Sequence, residues 1–193
     1  MFRLQLPTDP RWVNIVEKNI SEILTDHAFC EQKAASNAIS IVVKHPEKTD
    51  LVRSMLELAQ EELSHFQMVH EKLVQRGYVL GKERKDEYVN LLYDFQRKGG
   101  SRTVQLIDRL LFGAMIEARS CERFRVLSEN INDEDLREFY RELMISEANH
   151  YTLFIGFARQ YAEGEDIDKR WQEWLDFEGG IIRNFGVKET MHG

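Results

Sequence analysis

Apolar residues recur along the chain with alternating steps of four and three, the spacing that turns one face of an α-helix toward a core. One such track is Leu51, Met55, Leu58, Glu62, His65, Val69, and another is Leu136, Tyr140, Leu143, Glu147, His150, Phe154. Two more run Ile20, Leu24, His27, Glu31, Ala34, Ala38, Ile41 and Leu106, Leu110, Gly113, Glu117, Ser120, Phe124, Leu127. Each is long enough for a helix of many turns. Prolines occur only at 7, 10 and 46, and the Pro-free remainder is rich in Leu, Glu, Lys, Arg, Gln and Met, all good helix formers.

Caps and breakers set the expected ends. Asp9-Pro10 opens a short N-terminal helix. A first long helix runs from about Asn19 to Lys44, and His45-Pro46 separates it from a second that ends near Gly77. A short helix is predicted from Tyr88 to Gln96. Gly99-Gly100-Ser101 then breaks the chain and offers Ser101 as the N-cap of a third long helix. Asn130 to Asp133 joins the third to a fourth, which ends near Gly164. A last helix starts near Asp166 or Asp168, carries Trp171 and Trp174, and is interrupted at Gly179-Gly180. The expectation is an all-α chain, one domain over residues 1–193. Its architecture would be a four-helix bundle of two helical hairpins with extra short N-terminal and C-terminal helices.

The four tracks hide a repeat. Glu62 and His65 match Glu147 and His150 at an offset of 85 residues, and Glu31 matches Glu117 at an offset of 86. Each hairpin thus sets one lone Glu and one Glu-x-x-His in the middle of an apolar stripe. Four carboxylates in one core would repel, and burying an ionised group alone is expensive. Protonation, cationic partners or metal ions could compensate, and two divalent cations balance four carboxylates. Residues three apart lie about 60° apart around a helix, so Glu and His can reach one point. Carboxylate plus imidazole ligation suits iron or manganese, whereas thiolates would point to zinc or clusters. One Glu from each of two helices and Glu-x-x-His from each of the other two is the signature of ferritin-like di-iron and di-manganese proteins. A third match, Glu189-x-x-His192, sits at the tail and reads as an accident of composition.

Composition narrows the alternatives. A chain of 193 residues, 42% apolar and 31% charged, can bury a core without disulfides. It has no apolar stretch long enough to span a membrane. Met1 to Trp12 has two prolines and no apolar segment, unlike a secretory signal, so a cytoplasmic location is expected. Two cysteines, Cys30 and Cys121, are too few for a four-Cys cluster or a zinc ribbon, and they read as small core residues. The net charge of -7 argues against a general nucleic-acid binder. Residues 97–125, however, hold seven basic against three acidic residues. Arg97, Lys98, Arg102, Arg119, Arg123 and Arg125 are therefore candidates for phosphate contacts, with pairing inside the helix, such as Glu122 with a nearby Arg, as the alternative.

Other residues near the repeat have two readings each. His27, one turn before Glu31, is either a hydrogen-bond partner that orients Glu31 or a histidine satisfied at the helix edge. Gly113, its counterpart, either leaves room beside Glu117 or permits close helix packing. Tyr140 and Tyr151 flank the fourth helix's motif, with core packing favoured over radical chemistry. Trp171 and Trp174 would staple the last helix to the bundle. His45 and His70 fall off the acid-bearing track and are expected at the surface.

Four segments add a resemblance. DHAFCEQKAAS (26–36), LAQEELSHFQMV (58–69), GAMIEARSCERF (113–124) and ISEANHYTLF (145–154) resemble the bacterial tRNA-modifying hydroxylases that act on 2-methylthio-isopentenyl-adenosine. The likeness runs from about Trp12 to the last helix. It implies a non-haem di-iron monooxygenase that uses O₂ to hydroxylate the isopentenyl side chain of an adenosine next to the anticodon. It further implies Glu31 and Glu117 as single-Glu ligands, Glu62 and Glu147 as bridging carboxylates, and His65 and His150 as imidazole ligands. Two iron ions per chain are expected, with manganese accepting the same ligands. The partners would be tRNA and an external ferredoxin or reductase, since no Gly-rich nucleotide loop or cluster motif supplies electrons from within. A membrane partner is not expected. The rival readings are an iron-handling or peroxide-scavenging ferritin-like protein and a di-iron oxygenase acting on a small lipid or aldehyde.

Overall fold

The structure, a computed structural model, describes residues 2–185 and 190–191. Glu189 and His192 of the tail motif lie outside them. The described secondary structure is entirely helical: α1 (Trp12–Lys18), α2 (Ile20–Lys44), α3 (Thr49–Gln75), α4 (Glu87–Phe95), α5 (Arg102–Asn130), α6 (Glu134–Gln160) and α7 (Ile167–Phe185). None of these helices is long and apolar enough to cross a membrane. Within the described residues the chain divides into two compact units. One holds residues 18–85 with 190–191, and the other holds residues 2–17 and 86–185.

The smaller unit is the α2/α3 hairpin. Every member of the α3 track, from Leu51 through Glu62 and His65 to Val69, is buried. On α2, Leu24, His27, Glu31, Ala38 and Ile41 are buried, while Ile20 and Ala34 sit at the edge of the stripe. His45 closes α2 by donating its backbone N–H to Ile41 and Val42. It is buried rather than at the surface, and His70 is half-buried. The segment after α3 returns along the hairpin, where the Gly81 N–H donates to Thr25 Oγ1 at 3.3 Å. The Met191 N–H donates to Asp26 at 2.7 Å.

The larger unit is built on the α5/α6 hairpin. Ser101 caps α5 as its sequence predicts, its side chain accepting from the Val104 N–H, and Asp133 caps α6 by accepting from Leu136. Both tracks are buried throughout. At Gly113 an added Cβ would lie 2.8 Å from the Phe154 ring. Close helix packing therefore accounts for this glycine. Tyr140 packs on Phe124 at 5.3 Å and Tyr151 on Trp171 at 5.7 Å, so both serve as core aromatics. Trp174 is fully buried and meets Phe95 edge-on at 4.9 Å.

Two expectations fail in this unit. Gly179-Gly180 does not interrupt the last helix, which continues to Phe185. Gly179 instead lets the N-terminal segment approach, because a Cβ there would collide with the Gln5 side chain. The fourth long helix ends at Gln160, not near Gly164, which takes a left-handed φ of 93° in the following turn.

α5 is wrapped on nearly every side, and its charges are interior. The Arg119 Nε donates to Glu178 Oε1 at 2.8 Å and Nη2 donates to the Leu6 carbonyl at 3.1 Å. The Tyr88 hydroxyl donates to the same Glu178 oxygen at 3.3 Å. Arg119 and Glu178 are both fully buried. This one ion pair joins α5, α7, α4 and the N-terminal segment. Removing one partner leaves a buried charge uncompensated, which costs about 3–5 kcal/mol. We predict that Glu178→Ala loses stability of that order in urea denaturation followed by circular dichroism.

Candidate metal centre

Each hairpin assembles three metal-ligating side chains from one helix carrying a lone Glu and one carrying Glu-x-x-His. In the α2/α3 unit, His65 Nδ1 lies 3.3 Å from Glu62 Oε2 and 3.9 Å from Glu31 Oε2. In the α5/α6 hairpin, His150 Nδ1 lies 3.9 Å from Glu147 Oε1 and 4.0 Å from Glu117 Oε2. All six residues are buried. Within each triad the donor atoms lie within 4.8 Å of one another.

These distances permit a test of fit. Ligand bonds of about 2.1 Å place neighbouring donors of an octahedral ion ~3.0 Å apart and opposite donors ~4.2 Å apart. All four separations lie between these two distances, so small side-chain adjustments bring the donors to ligand spacing. In both hairpins the same imidazole nitrogen, Nδ1, faces the carboxylates. The residues present fit a hard or borderline divalent ion held by oxygen and nitrogen.

The surrounding groups also repeat. His27 is fully buried, and its Nε2 lies 2.5 Å from Glu31 Oε1, so the two oxygens of Glu31 face two different histidines. His65 turns its outer nitrogen, Nε2, toward Glu61 Oε1 at 3.9 Å, and His150 turns Nε2 toward Ser146 Oγ at 3.5 Å. Sequence reasoning missed Glu61 and Ser146. Both stand four residues before the histidine, one helical turn away, and they repeat the offset of 85 residues. Polar groups at such positions fix ring orientation and tautomer.

The basic segment separates into individual roles. Arg119 and Arg123 lie in the interior and correct the expectation of phosphate contacts at those positions. Arg119 serves Glu178, and Arg123 stacks over the Trp12 ring at 4.3 Å. Burial, with Arg119 close by, pushes the Arg123 guanidinium down to about 9. Arg125 is occupied by Glu122 and Glu129, the pairing inside the helix that was the alternative reading. Arg97 is shared between Asp108 and Glu165. Burial alone would raise the Asp108 carboxyl, but hydrogen bonds from Arg170 and Arg97 hold it below its ordinary range. Lys98 is exposed beside Asp94, and Arg102 is exposed at the start of α5.

An all-helical chain with a lone Glu and a Glu-x-x-His in each of two hairpins defines a ferritin-like protein of the carboxylate–histidine type. The chain matches the family described as tRNA-(MS[2]IO[6]A)-hydroxylase (MiaE) over residues 2–193, and it belongs to that family. Two curated relatives are named tRNA 2-(methylsulfanyl)-N(6)-isopentenyladenosine(37) hydroxylase. The one from Pseudomonas putida is 38% identical over 164 residues, covering 85% of this chain and 78% of the relative. The one from Salmonella typhimurium is 31% identical over 228 aligned residues, covering 93% and 83%. A solved structure described as protein 43 with aldehyde deformylating oxygenase activity from Synechococcus superposes with a TM-score of 0.91. It is 32% identical and covers 98% of this chain and 95% of its own.

The cysteines beside the ligands differ in environment. Cys121 is fully buried, and burial next to Glu147 pushes its thiol up to about 12. Its Sγ donates to the Met144 carbonyl at 3.2 Å. Cys30 is only half-buried. Because the thiolate is the reactive form, we predict that iodoacetamide at pH 8 labels Cys30 and leaves Cys121 unmodified in the folded protein, read by peptide mass mapping.

Proposed function

We propose that this protein is a tRNA-modifying, O₂-dependent di-iron monooxygenase that hydroxylates the isopentenyl side chain of 2-methylthio-isopentenyl-adenosine beside the anticodon. The observation that carries this reading is the family match over residues 2–193, joined to two buried carboxylate–imidazole triads. The whole chain acts as a single domain, located in the cytoplasm, with tRNA as its substrate partner. Glu31, Glu62, His65, Glu117, Glu147 and His150 would hold the two metal ions, with Glu62 and Glu147 as the shared carboxylates.

When bound, two iron ions supply activation of O₂ for insertion of one oxygen atom into an unactivated C–H bond, with two electrons from an external ferredoxin or reductase. The remaining work belongs to the chain. His27 holds Glu31 Oε1 and leaves Oε2 aimed at the ligand cluster. Ser146 lies within hydrogen-bond reach of the outward His150 nitrogen, and Glu61 stands at the corresponding place beside His65, 3.9 Å away. Leu58, Leu143 and Phe154, on the same buried stripes, keep each triad in apolar surroundings. Such surroundings exclude water and favour placement of an apolar side chain.

Two measurements test the proposal. Replacing a ligand removes a metal bond while the apolar stripe still folds. We therefore expect His65→Ala and Glu147→Ala to keep their helical circular dichroism and to lose dinuclear iron binding. Either variant retaining two irons per chain would contradict the ligand assignment. In the second, the iron-loaded, chemically reduced protein is mixed with O₂ and tRNA bearing the isopentenylated adenosine, and the digested nucleosides are weighed. A gain of one oxygen, absent with Glu147→Ala, is the expected result. Oxygen consumed without nucleoside change, but with turnover of an aldehyde, would favour the activity described for the Synechococcus protein.

A further inference from the structure

Among the cations of residues 97–125, Arg109 stands apart. Arg97 and Arg125 are drawn to carboxylates, and Arg119 and Arg123 are sunk in the interior. Arg109 is half-buried and has no carboxylate partner among the described residues. Its guanidinium carbon lies 5.3 Å from the Tyr93 ring centroid and 5.3 Å from that of Phe112. Nε is buried and meets no hydrogen-bond acceptor among the described residues. Burial lowers its pKa, and Tyr93 offsets only part of that. Two aromatic rings therefore hold a planar cation whose charge the fold leaves unneutralised, a configuration that attracts an anion.

Its surroundings suit an unpaired stretch of RNA. Tyr93 hydrogen-bonds the Arg109 side chain and packs edge-on against Phe112 at 6.0 Å, yet it is 49% exposed, so part of the ring is accessible to a base. Seven residues earlier on α5, nearly two full turns, exposed Arg102 lies on the same face, with exposed Gln105 between them. Toward the other end, Glu117 follows Arg109 by eight residues, about 12 Å along the helix axis. That distance is comparable to the reach of a nucleoside with a prenyl side chain.

We propose that Arg109 binds a backbone phosphate of the tRNA loop adjoining the modified adenosine, with the Tyr93 ring stacking an unpaired neighbouring base. The inference rests on the tRNA-hydroxylase reading and deepens it. Phosphate contacts of this kind position the nucleic acid, and stacking on an exposed aromatic ring suits single-stranded loops. Arg109 replaces the interior Arg119 and Arg123 as the segment's functional cation. It is a binding residue and takes no part in the oxygen chemistry.

The test uses the iron-loaded full chain and an anticodon stem-loop RNA carrying the isopentenylated adenosine. Fluorescence anisotropy gives Kd at several salt concentrations, and steady-state hydroxylation gives KM and kcat. Arg109→Gln is expected to raise Kd and KM about tenfold, with kcat within about twofold of the parent and iron content unchanged. The slope of log affinity against log salt should flatten by roughly 0.7, the value for one lost contact on a single strand. Arg109→Lys should keep the salt slope while losing part of the affinity. Tyr93→Ala should weaken binding with the slope intact, and these two variants carry the test if Arg109→Gln does not fold. Parental KM and salt slope in Arg109→Gln, or parental affinity in both Arg109→Lys and Tyr93→Ala, would overturn this inference alone. A parent protein that neither binds nor hydroxylates the RNA would overturn the tRNA reading and this inference with it.

Discussion

The constraint on which the structure depends is the burial of carboxylates. Glu31 and Glu62 in one hairpin and Glu117 and Glu147 in the other are all removed from water, in stripes otherwise made of Leu, Met, Val and Phe. An ionised carboxylate in such surroundings costs several kcal/mol unless something answers its charge. The imidazole placed three residues after Glu62 and Glu147 answers only part of it. The clustering of each triad's donor atoms within 4.8 Å of one another is compatible with metal ions supplying the rest. Long, capped, tightly packed helices follow from the same demand, since ligands must be held to a fraction of an ångström to act together.

The larger unit carries a second polar layer with a different purpose. Arg119, Glu178, Tyr88 and the Leu6 carbonyl are linked by hydrogen bonds inside the protein. Asp108 gathers Arg97 and Arg170 in the same manner. The contrast with the triads is chemical. Here each buried carboxylate meets a guanidinium of the chain itself, whereas in the triads carboxylate meets carboxylate beside an imidazole. The ferritin-like architecture is shared with a protein described as having aldehyde deformylating oxygenase activity, so the fold alone does not choose the substrate.

Much of this was legible in the residue pattern because the signals were local. The stripe positions of Glu31, Glu62, His65, Glu117, Glu147 and His150 follow from helical periodicity, and their burial follows from their apolar neighbours. Ser101 and the Asp133 junction were equally local. The failures were tertiary. Arg119 and Arg123 were counted as surface charge because their answers, Glu178 and Trp12, lie 59 and 111 residues away in sequence. The unbroken apolar run from Leu110 to Ile116 was the available sign that α5 is buried on more than one face. Gly179 reads as a breaker along the chain, where the approach of Gln5 to it is invisible.

We propose that the chain holds two iron ions on its six carboxylate and imidazole ligands. Anaerobic titration with ferrous iron, followed by oxidation and low-temperature Mössbauer spectroscopy in parallel with electron paramagnetic resonance, tests it most directly. The account predicts two irons per chain, coupled in the oxidised state so that the high-spin ferric resonance of isolated ions is missing. One iron per chain, or two that each give the signal of an isolated ferric ion, would contradict it.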